Sequence, residues 1–426
     1  MSTARTGRRV AVVALMAAGA LTLAACGGGS GFEDDTEPAG GNGDTGAEGG
    51  GDTGEALTVL IGSSGDAETQ AVQAAAAAWT AETGTDVEVV AATDLAQELS
   101  QGFAAGDPPD LFYLGSDTFA SYAANGSLLP YVDQLENADD FYPVLLQSFT
   151  YEDTPYCAPK DFSTLALVIN TDAWEEAGLT DDDVPTTWEE LASVAETLTT
   201  DDRVGLSFGP EWQRVGTFMA QAGGGLTNAE GTEATANSSE NVEALEFVQQ
   251  MLVDGTAAYP GDVSAGWGGE ALGIGAAAMV IEGNWIIGAM TNNYPDVGYR
   301  VVELPSGPGG PGTLQFTNCW GVAADGANTG GAIDLVGFLT SGEQQMEFAT
   351  AFGVMPSVQS VSGEWAEQFP DQAAFLAGAD YAQGAPSADG ASDVISDFNS
   401  QIQGLKDGDP QAILDSVQAN LEAILG

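Results

Sequence analysis

Apolar positions along the chain recur with two alternating periods. Leu57–Ile61 is an apolar run of strand length, and the Ala-rich segment 68–83 after it has the composition of a helix. Segments 87–90 and 95–105 repeat the same order, strand then helix. Strands joined by helix-length connections predict βαβ units and a parallel sheet.

The alternation continues to the C-terminal end of the sequence. Thr187 with Glu190, or Thr186 with Glu189, fits the capping box of a further helix. The Gly-rich segment 307–312 lacks the Lys of a nucleotide-binding loop and is predicted to be a plain loop. A length of 426 residues suits two α/β lobes. The other predicted strands are 110–114, 165–170 and 276–281, and the other predicted helices are 117–125, 241–254 and 410–425.

The N-terminal residues are typical of a secretory signal. Arg5, Arg8 and Arg9 precede an uncharged apolar run, 10–25, which is too short for a confident membrane span. The run ends in Leu-Ala-Ala-Cys, which resembles the bacterial lipobox and makes Cys26 the predicted lipidation site. An ordinary cleaved signal and an uncleaved anchor are the alternatives.

We therefore assign residues 1–25 to a lipoprotein signal peptide and 26–55 to the lipidated Cys and a flexible tether. The tether is Gly-rich and acidic, without apolar periodicity. The expected location is the extracytoplasmic face of the cell membrane, because a diacylglyceryl Cys supplies the two acyl chains that stable anchoring needs.

The charge balance is strongly acidic. Sixty-three Asp and Glu stand against eight Lys and Arg, a net charge of −55. Such a chain would repel a phosphate backbone, so nucleic acid is excluded as a partner. Because 44% of the residues are hydrophobic, the excess indicates a solvated folded surface and not disorder. Solubility in high salt is one use of that surface, and we expect a salt-loving source.

The sequence offers little for catalysis. It contains no histidine, which excludes Ser-His-Asp and Cys-His catalysis and histidine metal sites. The three cysteines are too far apart in sequence for a zinc framework. Asp181–Asp183 does not extend into a calcium-binding loop and is predicted to be a solvated run. We predict no catalytic residue, metal or cofactor.

Several motifs, in this order and spacing, carry a resemblance to a known family. Together they resemble the maltose-binding-protein type of extracellular solute-binding proteins, the receptors of carbohydrate ABC importers. The resemblance runs from about Leu57 to Leu425. The motifs are Gly106–Phe112, Ala123–Leu129, Pro159–Asn170, Pro185–Leu191, Ala277–Trp285 and, more weakly, Gly353–Pro356.

The resemblance implies a fold. It is an α/β, two-lobed, periplasmic-binding-protein-like fold of type II, with a ligand cleft between the lobes. The chain would cross between the lobes three times, near 157–162, 316–320 and 354–358. The implied lobes are 56–160 plus about 319–355 for the first, and about 161–318 plus 356–426 for the second.

Cys157 and Cys319 would then lie in crossings that run side by side. A disulfide between them is implied, since the compartment is not reducing. Two buried free thiols are the alternative.

The resemblance also implies binding residues. A sugar needs aromatic faces for its C–H surfaces, and carboxylates or amides for its hydroxyls. Asp117 matches a sugar-binding position, although a helix N-cap is its alternative role. Trp285 matches the stacking aromatic of the family, although it could be plain core. The further candidates are Glu211, Trp212, Ser163, Ser64, Trp320 and Trp267, of which Trp267 suits cleft wall and core equally.

The function implied is that of a binding protein and not of an enzyme. The chain would close on a sugar or oligosaccharide by hinge motion and deliver it to a membrane permease, as a monomer. Few basic residues favour a neutral ligand. The alternatives are a receptor for another neutral solute such as a polyol, a surface glycoside hydrolase with paired carboxylates, and an adhesion component.

Overall fold

The structure is a computed structural model that describes residues 56–229 and 231–426. The predicted signal peptide 1–25, the tether 26–55 and the lipidation site Cys26 lie outside the described residues. Among the described helices, none combines the length and the apolar character needed to cross a membrane.

The order of strands and helices follows the alternation predicted from the sequence. The strands are β1 Leu57–Ile61, β2 Val87–Ala91, β3 Leu111–Gly115, β4 Thr150–Tyr151, β5 Thr154–Pro155, β6 Ala158–Asn170, β7 Val204–Ser207, β8 Ala257–Ala258, β9 Ala277–Gly283, β10 Tyr299–Val302, β11 Thr313–Val322 and β12 Ala382–Gln383. The α-helices are α1 Asp66–Thr83, α2 Leu95–Ala105, α3 Ser116–Ala124, α4 Pro143–Gln147, α5 Thr171–Glu176, α6 Trp188–Leu198, α7 Trp212–Ala222, α8 Ser239–Asp254, α9 Gly268–Gly273, α10 Trp285–Asn293, α11 Thr329–Leu339, α12 Gly342–Phe352, α13 Ser362–Gln368, α14 Ala373–Ala377, α15 Ala391–Ile402 and α16 Pro410–Leu425.

The main sheet is mixed and not parallel throughout. Its strand order is β2-β1-β3-β11-β6-β9-β7-β8. The β2-β1-β3 group and the β9-β7-β8 group are each parallel, as the βαβ pattern predicts. Between them β11 pairs antiparallel with β3 and with β6, and β6 pairs antiparallel with β9. The two central strands therefore join two parallel α/β halves.

The two central strands each contribute to two hydrophobic cores. Ala158 at the start of β6 and Trp320 near the end of β11 lie in the core around β1 and β3. Leu167 of β6 and Leu314 of β11 lie in the core around β7, β9 and α8. Burying apolar side chains at both ends holds each strand in both halves of the molecule. The fold is thus the mixed α/β, two-lobed type expected from the resemblance.

A third segment runs beside the two central strands. Phe162 of β6 and Met355 exchange backbone hydrogen bonds of 3.1 and 3.3 Å. The Ser357 hydroxyl donates to the Pro159 carbonyl over 2.7 Å. Segment 354–358 therefore accompanies β6 at the same level as the pairing of β6 with β11.

A disulfide ties two of these segments together. Cys157 and Cys319 are bonded, with their Cα atoms 5.6 Å apart and a separation of 162 positions in the sequence. Both side chains are buried, in a small core that also contains Phe149 and Phe119. Each cysteine lies at the same end of its strand pair, so the bond fixes that end without touching the rest of β6 or β11.

Local hydrogen bonds explain where one of the predicted helices begins. The Thr187 side chain accepts from the Glu190 N–H, and the Glu190 carboxylate accepts from the Thr186 N–H and hydroxyl. Of the two predicted pairings, the structure shows Thr187 with Glu190, and Thr187 is the N-cap residue of α6.

We predict that removing the disulfide lowers the free energy of unfolding. A cross-link over so long a loop restricts the unfolded chain, and its loss should cost about 2–5 kcal/mol. Denaturant unfolding of Cys157→Ala/Cys319→Ala against the unsubstituted chain measures this. Mass mapping of the non-reduced chain is the control, and two alkylatable thiols at these positions would contradict the pairing.

Candidate functional site

The candidate site is a cavity of about 590 Å³ at the level where the three segments run side by side. The carboxyl ends of β1, β3 and β9 open onto it, and the middles of β6 and β11 form its floor. In sheets of this kind ligands bind outside the carboxyl ends of the strands, where the strand order changes. The topology therefore brings both lobes to one cavity.

One wall comes from the loops that follow β1 and β3. Ser64 and Glu68 lie after β1, and Ser116 and Asp117 lie after β3. Asp117 is the second residue of α3 and is exposed, and Gly115 is the N-cap residue. The alternative role of Asp117 as a helix N-cap is therefore wrong. Its carboxylate lies in the first turn of a helix, where a negative charge is favoured.

The floor carries a buried ion cluster. The Lys160 ammonium lies 3.0 Å from a Glu68 carboxylate oxygen and also pairs with Asp161. It lies 4.5 Å from the centre of the Tyr113 ring. The second Glu68 oxygen accepts from the Ser64 N–H and hydroxyl, each over 2.7 Å. The charge of the lysine is thus satisfied on several sides before any ligand arrives.

Burial and the neighbouring charges shift the pKa of each member of the cluster. Burial alone would raise the pKa of Glu68, but the Lys160 charge and the Ser64 hydrogen bonds lower it below the ordinary value of 4.5. Burial works against the Lys160 charge, yet Asp161 and Glu68 raise the pKa of the lysine. Burial, with Glu68 nearby, raises the pKa of Asp161 despite its lysine partner.

The opposite wall is aromatic. Trp285 is 37% exposed, and its ring meets Phe316 edge-on with 5.0 Å between the ring centres. Its indole N–H donates over 3.0 Å to Glu282, which also accepts over 2.7 Å from Arg214. Trp212 also lines the cavity and is 5% exposed. An indole that presents part of its surface to the cavity can cover an apolar ligand face.

Five of the eight predicted binding residues line this cavity. They come from five separate stretches of the sequence, which the fold brings together. They are Ser64, Asp117, Ser163, Trp212 and Trp285. Since Trp285 is partly exposed beside the cavity, its alternative role as plain core does not describe it.

The other three predicted residues lie elsewhere. Trp320 is 1% exposed and packs edge-on against Tyr113, because the alternation along β11 directs its side chain into the core. Trp267 precedes α9 and packs against a core of the second lobe. Glu211 does not line the cavity; its carboxylate pairs with Arg214 over 3.0 Å behind Trp285. Burial raises the pKa of Glu211, while Arg214 opposes the shift.

Several residues of the cavity were missed by sequence reasoning. Asp161 stands inside the Pro159–Asn170 motif, but the motif did not indicate that its carboxylate lines the cavity. Nothing in the sequence around Glu68 indicated a cavity residue, since its partner Lys160 is 92 positions away. The remaining missed polar and aromatic lining residues are Ser116, Phe162, Gln213, Asn284, Gln315, Phe316, Thr317, Asn318, Phe352, Ser392, Ser396 and Asn399.

The cavity joins hydrogen-bond acceptors to an aromatic surface. Asp117 and Asp161 offer carboxylate oxygens, and Asn318 and Asn399 are amides. Among its described lining residues Lys160 is the one cation, and it is already paired. Such a surface suits a ligand that donates hydrogen bonds and has apolar faces. Nowhere in the described chain do three or more Cys, Asp or Glu side chains gather as metal ligands would.

Fold and cavity together define a two-lobed ligand-binding protein. The sequence profile of the family described as bacterial extracellular solute-binding protein matches residues 62–346. The chain belongs to that family. This agrees with the resemblance carried by the motifs.

Curated and solved relatives are distant but cover most of the chain. The diacetylchitobiose binding protein DasA of Streptomyces coelicolor is 25% identical over 366 residues, which cover 83% of each protein. The cyclic α-maltosyl-1,6-maltose binding protein of Arthrobacter globiformis superposes with a TM-score of 0.76 at 21% identity, covering 87% of this chain and 98% of its own. The GacH receptor of Streptomyces glaucescens, solved without ligand and with acarbose, superposes with a TM-score of 0.76 at 22% identity, covering 87% of this chain and 98% of its own. The two structural matches show the shared fold.

We predict a pH-dependent contribution from Glu68. Because its pKa in the folded chain is below 4.5, it stabilises the fold above that pH, and the contribution is lost as the pH falls through the folded value. Glu68→Gln should cost about 1–3 kcal/mol at pH 7. Thermal unfolding of both chains between pH 7 and pH 3 should show the difference shrinking below about pH 4.5.

An exposed carboxylate supplies the control for this series. Glu246→Gln, on the outer face of α8, should change stability little at any pH. A Glu68→Gln difference that stays constant from pH 7 to pH 3 would contradict the assigned ionisation.

Proposed function

We propose that the chain is the substrate-binding lipoprotein of an ABC importer, and that it binds a neutral sugar or oligosaccharide by closing its two lobes. The observation that carries the proposal is the cavity itself: carboxylates on one wall, an indole on the other, and one lysine already neutralised. An anionic ligand would need a free cation or several donors.

The mode of binding follows from where the lining residues lie. Asp117 belongs to the half around β3, and Trp285 to the half around β9. A ligand that touches both favours the closed arrangement by its differential contacts. We infer that rotation occurs about segments 157–162, 316–320 and 354–358, and that the closed form is what a membrane permease recognises.

The relatives support a sugar over other neutral solutes. DasA is described as a diacetylchitobiose binding protein, and the Arthrobacter globiformis protein as a cyclic α-maltosyl-1,6-maltose binding protein. A polyol receptor stays the second candidate, because hydroxyl donors alone would satisfy the acceptors of the cavity. A catalytic role has no support, since the family consists of solute-binding proteins.

We further infer that the protein works as a lipid-anchored monomer outside the cytoplasm, in a high-salt medium. The lipobox at Cys26 supports the anchor. Of the five Lys and Arg in residues 56–229 and 231–426, four are ion-paired, so the surface charge is almost wholly acidic. That composition supports solubility where salt screens self-repulsion.

Ligand-induced stabilisation tests the proposed function. Residues 27–426 in high salt are melted against maltotriose, N,N′-diacetylchitobiose, glucose, a polyol, a sugar phosphate and an amino acid. A sugar at 100 times its dissociation constant should add about 2.7 kcal/mol, or about 3 °C for a chain of this size. The sugar should be recovered unchanged, and the sugar phosphate should have no effect.

The other outcomes each overturn a different part of the proposal. If only the polyol raises the melting temperature, the chain is still a solute receptor, but the assignment of a sugar as its ligand is wrong. Consumption of the sugar contradicts the binding-protein assignment. A shift with the sugar phosphate contradicts the neutralised lysine.

A second prediction concerns the anchor. In a bacterial host, Cys26→Ser should abolish lipid attachment, because the thiol is the acylation site of a lipobox. Intact mass and partitioning between membrane and soluble fractions measure this. A Cys26→Ser chain that still partitions into membranes would favour an uncleaved anchor.

A further inference from the structure

The indole of Trp285 is partly exposed, yet it makes specific contacts on several sides. Besides the hydrogen bond to Glu282, the Arg214 guanidinium lies 5.4 Å from its ring centre. The same guanidinium lies 5.5 Å from the Phe316 ring, which meets the indole edge-on. The ring is therefore bounded by a hydrogen bond, a cation and an aromatic edge.

A glycine completes this arrangement. A Cβ added at Gly283 would lie 2.3 Å from two carbons of the Trp285 ring, closer than non-bonded carbons approach. The indole thus folds back over the backbone of residue 283, and only glycine leaves room for it there. This glycine is required for a close approach and not for its backbone angles, since it lies in the ordinary strand β9.

The carboxylate that holds the indole is costly to bury. Glu282 is 2% exposed, and one of its oxygens accepts both from Arg214 over 2.7 Å and from the indole over 3.0 Å. Arg214 also forms an ion pair with Glu211, in which a guanidinium nitrogen lies 3.0 Å from a carboxylate oxygen. A buried carboxylate is tolerated where such partners compensate its lost hydration. None of Glu282, Arg214 and Glu211 lines the cavity.

We propose that Glu282, Arg214 and Gly283 are positioning residues that lock the Trp285 indole in its ligand-ready orientation before a ligand arrives. The inference rests on the proposed function of Trp285 as a stacking surface. A side chain already fixed in its bound rotamer loses little entropy on binding, so the locked indole raises affinity without contacting the ligand through these residues.

The first readout needs no ligand. In the apo chain, residues 27–426, the Trp285 indole N–H resonance is assigned by its absence in Trp285→Phe. Glu282→Met removes the acceptor with an unbranched side chain and leaves Arg214 its Glu211 partner; it should shift this resonance and speed its hydrogen exchange. Glu282→Gln retains an acceptor oxygen and should restore most of the protection. Gly283→Ala should move the resonance with Glu282 intact.

The second readout is affinity, measured by calorimetry with maltotriose and with N,N′-diacetylchitobiose. Glu282→Met and Gly283→Ala should each weaken the sugar that binds the unsubstituted chain by about tenfold, with a smaller loss for Glu282→Gln. If neither sugar binds the unsubstituted chain, the sugar assignment fails for these probes, and the apo resonance still decides the positioning role.

A matched control exists in the same lobe. Arg300 lies 4.8 Å from the Trp174 ring centre and pairs with Asp181, so it repeats the cation, ring and carboxylate away from the cavity. Arg300→Met should leave both the Trp285 resonance and the affinity unchanged. An unchanged resonance in Glu282→Met and Gly283→Ala, or an equal loss of affinity in Arg300→Met, would overturn the proposal.

Discussion

The antiparallel pairing of β6 with β11 is the constraint on which the site depends. Each strand begins in one hydrophobic core and ends in the other, so their shared hydrogen bonds fix how the two halves can approach. The Cys157–Cys319 bond closes one end of the pair, and segment 354–358 runs along its other side. Where these segments meet, the floor of the cavity forms, and the loops after β1, β3 and β9 converge above it.

That geometry explains why a strongly acidic chain needs a buried lysine. The floor joins Asp161 of β6 to Glu68 of α1, two carboxylates with little water around them. Lys160 lies between them and against the Tyr113 ring. Its single positive charge is shared by both carboxylates, at a point where the first lobe meets the crossing strands. Because the lysine is engaged there, the cavity presents oxygen acceptors to a ligand and no free positive charge.

Much of the scaffold was predictable from local pattern. The bounds of β1, α2 and α16 agree with the predicted segments, since apolar period and flanking turns determine such elements within a few residues. β6 begins well before the predicted segment 165–170. Its first half was not predicted, since it includes Pro159, Lys160 and Asp161, which are not typical of a strand. The antiparallel centre of the sheet was not predicted, as strand direction there depends on contacts far apart in sequence.

Of the predicted residues that line the cavity, Ser163 and Trp285 stand in the quoted motifs, and Ser64, Asp117 and Trp212 lie outside them. All of them were predicted from the resemblance to the family. Trp320 was misplaced, because the side on which β11 presents each residue depends on its pairing. Glu68 with Lys160, and Arg214 with Glu282, are contacts over 92 and 68 positions, and no local signal encodes them.

Small-angle X-ray scattering measures whether the two lobes close on a neutral sugar. Residues 27–426 are measured in high salt without ligand and with a saturating sugar from the panel, with the sugar phosphate as the negative control. We expect a smaller radius of gyration with the sugar and no change with the sugar phosphate. A sugar that binds, by calorimetry, without any change in the radius of gyration would contradict hinge closure as the mode of binding.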